Sequence, residues 1–204
     1  MARIRPTVEN DNLNIASSTE PTTLTVWHKS LLFNCKGFAV YNSNGDLVFR
    51  VDNYCSNRSR EIVLMDAIGN DILLLRHKRF SLGKQWQGFQ QDKLIFSMKK
   101  SASCWCWGKQ KKKMLAEVYM NGSKYPDFYV EGSFSKRSCT FYNSEGTIIT
   151  EVRRKQGAPN VLLGADVFTM TVQRGYNLSL SMGYLIVLER LHSTPSLLSQ
   201  WFGA

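Results

Sequence analysis

A run of apolar residues near the end of the chain, from Met182 to Leu188, constrains the fold more than any other stretch. A helix built from it is apolar on every side, so it has no polar face to turn toward water and must be surrounded by the rest of the chain. Asn177 is a suitable N-cap before the run. Arg190 and His192 suit the negative C-terminal end of a helix. The sequence therefore predicts a buried helix at about 176–191.

The same run is a poor membrane span. A helix that crosses a bilayer needs about 20 predominantly apolar residues. This run is shorter, contains Ser179 and Ser181, and closes on Glu189 and Arg190. We predict a core helix and no transmembrane segment.

The two chain termini are predicted to lie outside a single domain. Residues 1–23 are polar and lack the apolar stretch of a signal peptide, so we expect a disordered tail. No shift of composition divides the rest of the chain, and we expect one domain over 24–192 and a C-terminal tail over 193–204. The expected location is cytoplasmic, with a peripheral membrane or nuclear location as alternatives. Five scattered cysteines without a CxxC pair predict reduced thiols, no metal and no cofactor.

Short runs rich in β-branched and aromatic residues fill the chain between the tail and the helix. Turn signals separate them, and apolar runs flanking an Asn-Gly pair at 44–45 are the strongest hairpin signal among them. The runs predict about twelve strands: 24–27, 36–41, 46–51, 61–65, 71–75, 85–89, 93–98, 114–119, 126–131, 139–142, 147–152 and 166–172.

A closed β-barrel would enclose the apolar helix. The interior of an eight-stranded barrel is just filled by its own side chains, and the diameter grows with the number of strands. Twelve strands leave a lumen, and an α-helix with its side chains is about 10–12 Å across. We therefore predict a mainly β fold, a roughly twelve-stranded closed β-barrel that encloses the C-terminal helix.

The sequence of one hairpin is repeated later in the chain. Residues 41–51 resemble residues 142–152, including the turn, and an aromatic-containing strand precedes each copy. Two copies fit a two-fold pseudo-symmetric sheet. They fit equally well two unrelated hairpins that share a turn type, and the sequence leaves both interpretations open.

Several motifs resemble the LURP-one-related proteins of plants, whose domain is similar to the Tubby C-terminal domain and to phospholipid scramblases. The resemblance is carried by Leu24-Thr-Val-Trp-His-Lys-Ser-Leu, Gly37-Phe-Ala-Val-Tyr, Val130-Glu-Gly-Ser-Phe, Arg137-Ser-Cys and Val161-Leu-Leu-Gly-Ala-Asp-Val-Phe, and it continues into the helix. It implies a twelve-stranded barrel around a central hydrophobic helix. A shared fold by itself licenses no function.

The net charge of +10 comes from one segment of the chain. Between Arg76 and Lys113 there are eleven bases and a single acid, Asp92, whereas the remaining fifteen bases are balanced by fifteen acids. Such asymmetry points to an anionic partner, either phospholipid headgroups or nucleic acid.

The candidate binding residues are the bases of this segment and two tryptophans between them. Basic clusters attract anionic headgroups, and Trp prefers the membrane interface. Tubby-like domains bind phosphoinositides through basic residues, so the resemblance implies a similar role for this region. The alternative is structural, with buried tryptophans and ordinary solvated lysines at a hairpin edge. The candidates are Arg76, Lys78, Arg79, Lys84, Lys99, Lys100, Lys109, Lys111, Lys112 and Lys113, with Trp105 and Trp107 as interface residues.

Catalytic signals are absent from the sequence. The three histidines, His28, His77 and His192, are far apart along the chain, and no nucleophile, phosphate-loop or metalloprotease motif is present. We expect a non-enzymatic regulatory protein that binds anionic phospholipid, in plant stress or defence signalling as the resemblance implies. A nucleic-acid-binding or membrane-tethered transcriptional regulator is the alternative, and scramblase-like lipid transport is the third. The protein partners and the oligomeric state are left open.

Overall fold

The computed structural model of the 204-residue chain describes residues 20–28, 36–53, 61–78, 84–101, 106–107, 110–111, 114–156, 164 and 166–192. Residues 36, 52–53, 106–107 and 110–111 are described by their backbone alone. The predicted tails at 1–23 and 193–204 lie outside these ranges except for residues 20–23, of which Thr22 and Thr23 already belong to the first strand. That strand begins two residues before the predicted domain boundary.

Twelve antiparallel strands close into one barrel, as predicted. Each barrel strand pairs with the next one along the chain, with β7 pairing with β10, and β1 closes the barrel by pairing with β14 from Thr22↔Val172 to Trp27↔Val167. The barrel strands are β1 (Thr22–Trp27), β2 (Lys36–Tyr41), β3 (Leu47–Asn53), β4 (Glu61–Asp66), β5 (Asp71–His77), β6 (Gln85–Gln90), β7 (Lys93–Lys100), β10 (Met114–Met120), β11 (Phe128–Ser133), β12 (Ser138–Asn143), β13 (Ile148–Arg154) and β14 (Val167–Val172).

A small two-stranded sheet lies in the chain between β7 and β10. It consists of β8 (Cys106–Trp107) and β9 (Gln110–Lys111), which pair in an antiparallel hairpin. The sequence did not predict this hairpin as a separate sheet.

The helix α1 (Leu178–His192) fills the barrel and ends the described chain. Asn177 caps it, because the Asn177 Oδ1 atom accepts a hydrogen bond from the backbone N–H of Leu180 at 3.0 Å. The stretch from Met182 to Leu188 is buried at every position, with Val187 and Leu188 at 0 % exposure. The prediction of a buried helical plug is confirmed.

Aromatic side chains of the barrel wall pack around Tyr184 at the centre of this core. Phe96 meets the Tyr184 ring edge-on with centroids 4.7 Å apart, and Phe141 stacks on it at 6.4 Å. The buried Tyr184 hydroxyl donates a hydrogen bond to the Met120 sulfur at 3.2 Å, and burial raises the pKa of this phenol. The Tyr184 hydroxyl thus has a hydrogen-bond partner inside the barrel.

The strands alternate in direction, so their connections fall into two sets. One set, here called the turn end, joins β2 to β3, β4 to β5, β6 to β7, β10 to β11, β12 to β13 and β14 to α1. The other set, here called the basic end, joins β1 to β2, β3 to β4, β5 to β6, β7 to β10, β11 to β12 and β13 to β14. The helix begins at the turn end and finishes at the basic end, where the His192 Nε2 atom lies 3.3 Å from the Leu115 carbonyl oxygen.

Three hairpins at the turn end use the same side-chain device. The Asn42 Oδ1 atom accepts from the backbone N–H groups of Asn44 and Asp46, both at 2.9 Å. Asp66 and Asn143 do the same in their own turns, each three residues before a glycine with positive φ. A one-residue register shift accompanies each turn.

This recurrence decides between the two interpretations of the repeat. The β2–β3 and β12–β13 hairpins are eight strands apart in the sequence order of the twelve-stranded barrel, whereas a two-fold axis requires six. The third copy of the turn, at Asp66, lies in a hairpin that does not belong to the sequence repeat. Hairpins that share a turn type therefore explain the repeat, and a two-fold duplication does not fit the barrel.

A candidate anion-binding site at the basic end

The structure brings five predicted cations together at the basic end: Arg76, Lys78, Lys84, Lys99 and Lys100. They gather because β5 ends there, β6 begins there and β7 ends there. The backbone N–H of Lys78 donates to the Gln85 carbonyl oxygen at 2.9 Å, and Gln85 in turn pairs with Lys99. Sequence neighbours in antiparallel strands thus become spatial neighbours at one rim.

Three of these cations have side chains available to an external anion. Lys78, Lys84 and Lys100 are exposed, and none has a carboxylate within ion-pair distance in the part of the chain that the structure describes. An ammonium group without such a partner offers its three N–H donors to a ligand. They are the strongest members of the candidate site.

Arg76 is already engaged by the protein. The Arg76 Nε atom lies 2.7 Å from the Glu61 carboxylate across the β4–β5 pair, and the guanidinium lies 5.4 Å above the Phe89 ring. Both partners compete with an external anion for this cation. Arg76 therefore contributes less to the site than its exposed position suggests.

Lys99 is also engaged, in a cluster on the outer wall of β7 and β10. The Lys99 ammonium lies 3.2 Å from Glu117 Oε2, which also accepts a hydrogen bond from the Tyr119 hydroxyl at 2.6 Å. The hydrogen bond with Tyr119, more than the attraction of Glu117, raises the pKa of Lys99 against the effect of burial. Burial alone would raise the pKa of Glu117, but hydrogen bonds from Tyr119, Lys99 and Ser101 together lower it.

For seven of the predicted residues the structure gives no description of the side chain. Lys111 and Trp107 belong to the β8–β9 hairpin, whose backbone alone is described. This hairpin connects β7 to β10, so the chain leaves and re-enters the barrel at the basic end. Outside the described residues lie Arg79, Lys109, Lys112, Lys113 and Trp105.

The sequence prediction missed further cations at the same rim. β13 ends at Arg154, and Lys155 follows it with its ammonium 2.8 Å from the Thr25 hydroxyl. Lys136 is exposed in the β11–β12 connection. The signal that finds them is strand direction, because every second strand of an up-and-down barrel ends at the same rim.

The two ends carry opposite charge. At the basic end, the described connections and the strand residues that flank them hold two acids, Glu61 and Asp166, and nine bases. These bases are Lys36, Lys78, Lys84, Lys100, Lys111, Lys136, Arg137, Arg154 and Lys155. The corresponding residues of the turn end hold three bases, Lys93, Lys124 and Arg174, and six acids. The acids are Asp46, Asp66, Asp71, Asp92, Asp127 and Glu145.

The C-terminal end of the plug is tied to the mouth of the barrel by Glu189. One carboxylate oxygen lies 3.0 Å from His28 Nε2, and the other lies 3.6 Å from the Arg137 guanidinium. Arg137 is buried, at 7 % exposure, between the rings of Phe134 and Phe168 at 4.6 and 4.5 Å. This network fixes where the helix ends relative to the rim and so supports the site from within.

The cysteine whose side chain the structure describes, Cys139, is buried. Burial raises the pKa of the Cys139 thiol to about 11, although Arg137 partly opposes this, so the thiol is a poor nucleophile at neutral pH. Within the described ranges no three His, Cys, Asp or Glu side chains are arranged to hold a metal ion. Likewise, no helix among these residues has the length and apolar character needed to cross a bilayer.

Comparison with known proteins agrees with this architecture. The family model described as LURP-one-related matches residues 22–189. The chain belongs to the LURP-one-related family. Protein LURP-one-related 5 of Arabidopsis thaliana is 38 % identical over 183 residues, which cover 85 % of this chain and 84 % of that protein. LURP-one-related 8 of the same plant is 37 % identical and covers 87 % of this chain and 91 % of its own length.

The chain is also similar to a third LURP-one-related protein and to a protein of solved structure. LURP-one-related 12 of Arabidopsis thaliana is 36 % identical over 181 residues, with 85 % of this chain and 79 % of that protein covered. The X-ray structure of an Arabidopsis thaliana protein superimposes with a TM-score of 0.63 at 21 % identity, covering 87 % of this chain and 95 % of that one. That likeness confirms the fold. The names of the LURP-one-related proteins describe membership of a family and not a reaction.

Proposed function

We propose that this LURP-one-related protein is a non-enzymatic regulatory protein that binds anionic phospholipid headgroups, including phosphoinositides, with its basic end. The observation that carries the proposal is the group formed by Lys78, Lys84 and Lys100. These lysines are exposed at one rim, and no described carboxylate neutralises them. Each Lys near an anionic membrane contributes about 1 kcal/mol of attraction.

The charge difference between the ends gives the binding a direction. The basic end is attracted to an anionic surface and the acidic turn end is repelled by it, so the barrel axis turns toward the surface normal. The β8–β9 hairpin leaves the barrel at the end that faces the membrane. With Trp105 and Trp107 in this segment, the proposal adds shallow insertion of indole rings to the electrostatic attraction.

The regulatory part of the proposal rests on the family. LURP-one-related relatives come from a plant, and the proposed setting is plant stress or defence signalling at a membrane surface. A lipid-binding domain of this kind acts by changing where it, and any protein bound to it, is located.

Nucleic acid is the second candidate partner, because the same cations fit phosphates of either source. In the described part of the chain the one long helix is buried and presents no face to a DNA groove. A β-ribbon formed by β8 and β9 remains as the reading element of that alternative. Lipid transport of the scramblase kind ranks below both, since α1 is enclosed by the barrel.

Co-sedimentation with vesicles separates these functions. The purified protein is mixed at matched ionic strength with phosphatidylcholine vesicles, with vesicles containing phosphatidylglycerol or phosphoinositide, and with duplex DNA. We expect binding to both anionic vesicles, none to pure phosphatidylcholine, and weaker binding as salt rises. Absence of vesicle binding at low salt, or preference for one DNA sequence over random duplex, contradicts the proposal.

A variant of the segment between β7 and β10 tests whether the predicted lysines of that segment contribute to binding. Lys109→Glu, Lys111→Glu, Lys112→Glu and Lys113→Glu are combined in one protein. If the hairpin segment faces the membrane, vesicle binding falls about 100-fold or more, because four attractive charges become repulsive. Unchanged binding removes the hairpin from the site and leaves the barrel rim to account for it.

A further inference from the structure

All three histidines of the chain lie at the basic end. His28 follows β1, His77 is the last residue of β5 and His192 is the last residue of α1. Along the barrel, β1 and β5 are four strands apart through β2, β3 and β4, and His192 contacts β10, three strands beyond β5. The imidazoles are therefore distributed around the same rim that carries the lysines of the proposed lipid site.

His28 is held by the helix and by two strands. Its Nε2 atom lies 3.0 Å from the Glu189 carboxylate of α1, and its ring lies 4.9 Å from the Phe38 ring of β2. Its backbone N–H donates to the Asp166 carbonyl oxygen before β14 at 2.7 Å. Since Arg137 balances the charge of Glu189, a proton on His28 gives this cluster a net positive charge.

His77 lies among cations. Its ring meets the Trp86 ring of β6 edge-on with centroids 5.5 Å apart. Arg76 and Lys78 flank it in the chain, and Lys84 stands on the β6 side of the same connection. The nearest carboxylate in the strand register, Glu61 on β4, pairs with Arg76 and is bound to it. A proton on His77 therefore adds directly to the charge of the exposed lysines.

His192 lies at the end of the plug. It contacts the Leu115 carbonyl oxygen of β10 at 3.3 Å and stacks on Phe134 with centroids 6.1 Å apart. Arg137 is a charged group that covers the same Phe134 ring, and Glu189 and Arg190 precede His192 on its own helix. The helix C-terminus is the negative end of the helix dipole and favours a cationic imidazole.

We propose that these three histidines make the basic end bind anionic lipid surfaces more strongly at mildly acidic pH. The inference rests on the proposed function and adds a regulation to it. Imidazole is the side chain whose charge ordinarily changes between pH 5 and 8. Each proton taken up places a positive charge within about one Debye length of the rim, so an anionic surface draws the protonated form.

The test measures vesicle affinity at pH 7.5 and pH 5.5 at constant ionic strength. The vesicles contain phosphatidylglycerol in phosphatidylcholine, because its phosphodiester keeps one charge over this range, whereas phosphomonoesters titrate near pH 6. We expect about ten-fold tighter binding at pH 5.5, in line with the attraction of up to three added charges. Equal affinity at the two pH values overturns the inference.

Two variants assign the effect to the histidines. In the combined variant His28→Gln, His77→Gln and His192→Gln, the ratio of the affinities at pH 5.5 and pH 7.5 falls to about one. Because His28 and His192 also contact the core, His77→Gln alone is measured too, with a thermal melt of each protein, and it loses about a third of the logarithmic increase. An increase that survives in both variants overturns the inference.

The outcomes distinguish this regulation from the function on which it rests. Binding that is present at pH 7.5 and independent of pH removes the histidine effect and leaves lipid binding in place. Absence of binding at both pH values removes the proposed function itself.

Discussion

The two ends of the barrel are built from the same strands but differ in what their residues do. At the turn end, Asn42, Asp66 and Asn143 bind the backbone of their own turns and leave no freedom in the strand register. At the basic end, cations such as Lys78 and Lys100 point into solvent without a described carboxylate partner. One end stabilises the fold, and the other carries exposed positive charge.

Under the proposed function, the residues that stabilise the fold and the residues that bind a partner are separated along the barrel axis. Polar side chains of the turn end satisfy backbone groups nearby, which stabilises the native state. The clustered like charges of the basic end repel one another and oppose folding slightly. An arrangement with that cost is expected where a ligand of opposite charge makes use of it.

Deleting helix α1, which runs through the barrel from the turn end to the basic end, should have the largest effect on stability. Truncation before Gly175 deletes α1, whose buried residues include Met182, Leu185 and Val187. Losing a buried Leu or Met side chain costs about 2–5 kcal/mol each, so the truncated chain should not fold. Circular dichroism and solubility measure this outcome. A soluble truncated protein with an intact β spectrum would show that the helix is not the core.

A substitution at the turn end should change stability without changing recognition. Asn143→Ala removes the acceptor of two backbone N–H groups, from Glu145 at 3.1 Å and Thr147 at 2.8 Å. We expect a loss of about 1–2 kcal/mol in the free energy of unfolding. Ser144→Ala in the same turn is the matched control and should change it by less than about 0.5 kcal/mol. Chemical denaturation measures both, and weaker vesicle binding by either variant would break the separation of the ends.

A smaller effect is expected on the outer wall beside the basic end. The lowered pKa of Glu117 means that its carboxylate stabilises the protein above its ordinary pKa of 4.5 and loses this contribution as the pH falls through the lowered value. Glu117→Gln should therefore cost about 1 kcal/mol at pH 7 and progressively less below about pH 4. Denaturation at several pH values checks this, with Glu145→Gln at the turn end as the control. A cost that does not depend on pH would contradict the assigned role of the Lys99–Glu117 pair.

Most of the fold follows from local sequence signals. Turn residues such as Asn42 and Gly45 mark a hairpin, and their hydrogen bonds involve neighbours within four residues. The plug follows from composition alone, because a helix without a polar face must be enclosed. The predicted helix at 176–191 and the observed α1 (Leu178–His192) differ by two residues at one end and one at the other.

The candidate site was predicted only in part, because ion pairs form across strands. Counting charges between Arg76 and Lys113 found a single acid, yet Glu61 and Glu117, which pair with Arg76 and Lys99, lie outside that segment. Those partners depend on strand register, which a linear count does not contain. The convergence of the three histidines was missed for the same reason, since it results from strand direction around a closed barrel.

The central claim is that the basic end, and not the net charge of the protein, governs binding to anionic lipid. Reversing the charge at each end of the barrel in turn tests this claim most directly. One variant combines Lys78→Glu, Lys84→Glu and Lys100→Glu at the basic end. Its partner variant combines Lys93→Glu, Lys124→Glu and Arg174→Glu at the turn end and changes the net charge by the same amount. All six side chains are exposed, so both variants are expected to fold.

Binding of these two proteins to phosphatidylglycerol vesicles is then compared at low salt. The basic-end variant should lose about 100-fold or more in affinity, whereas the turn-end variant should lose less than about five-fold, because its charges face away from the surface. Equal losses in the two variants would show that net charge, and not the basic end, governs binding, and would contradict the proposed site.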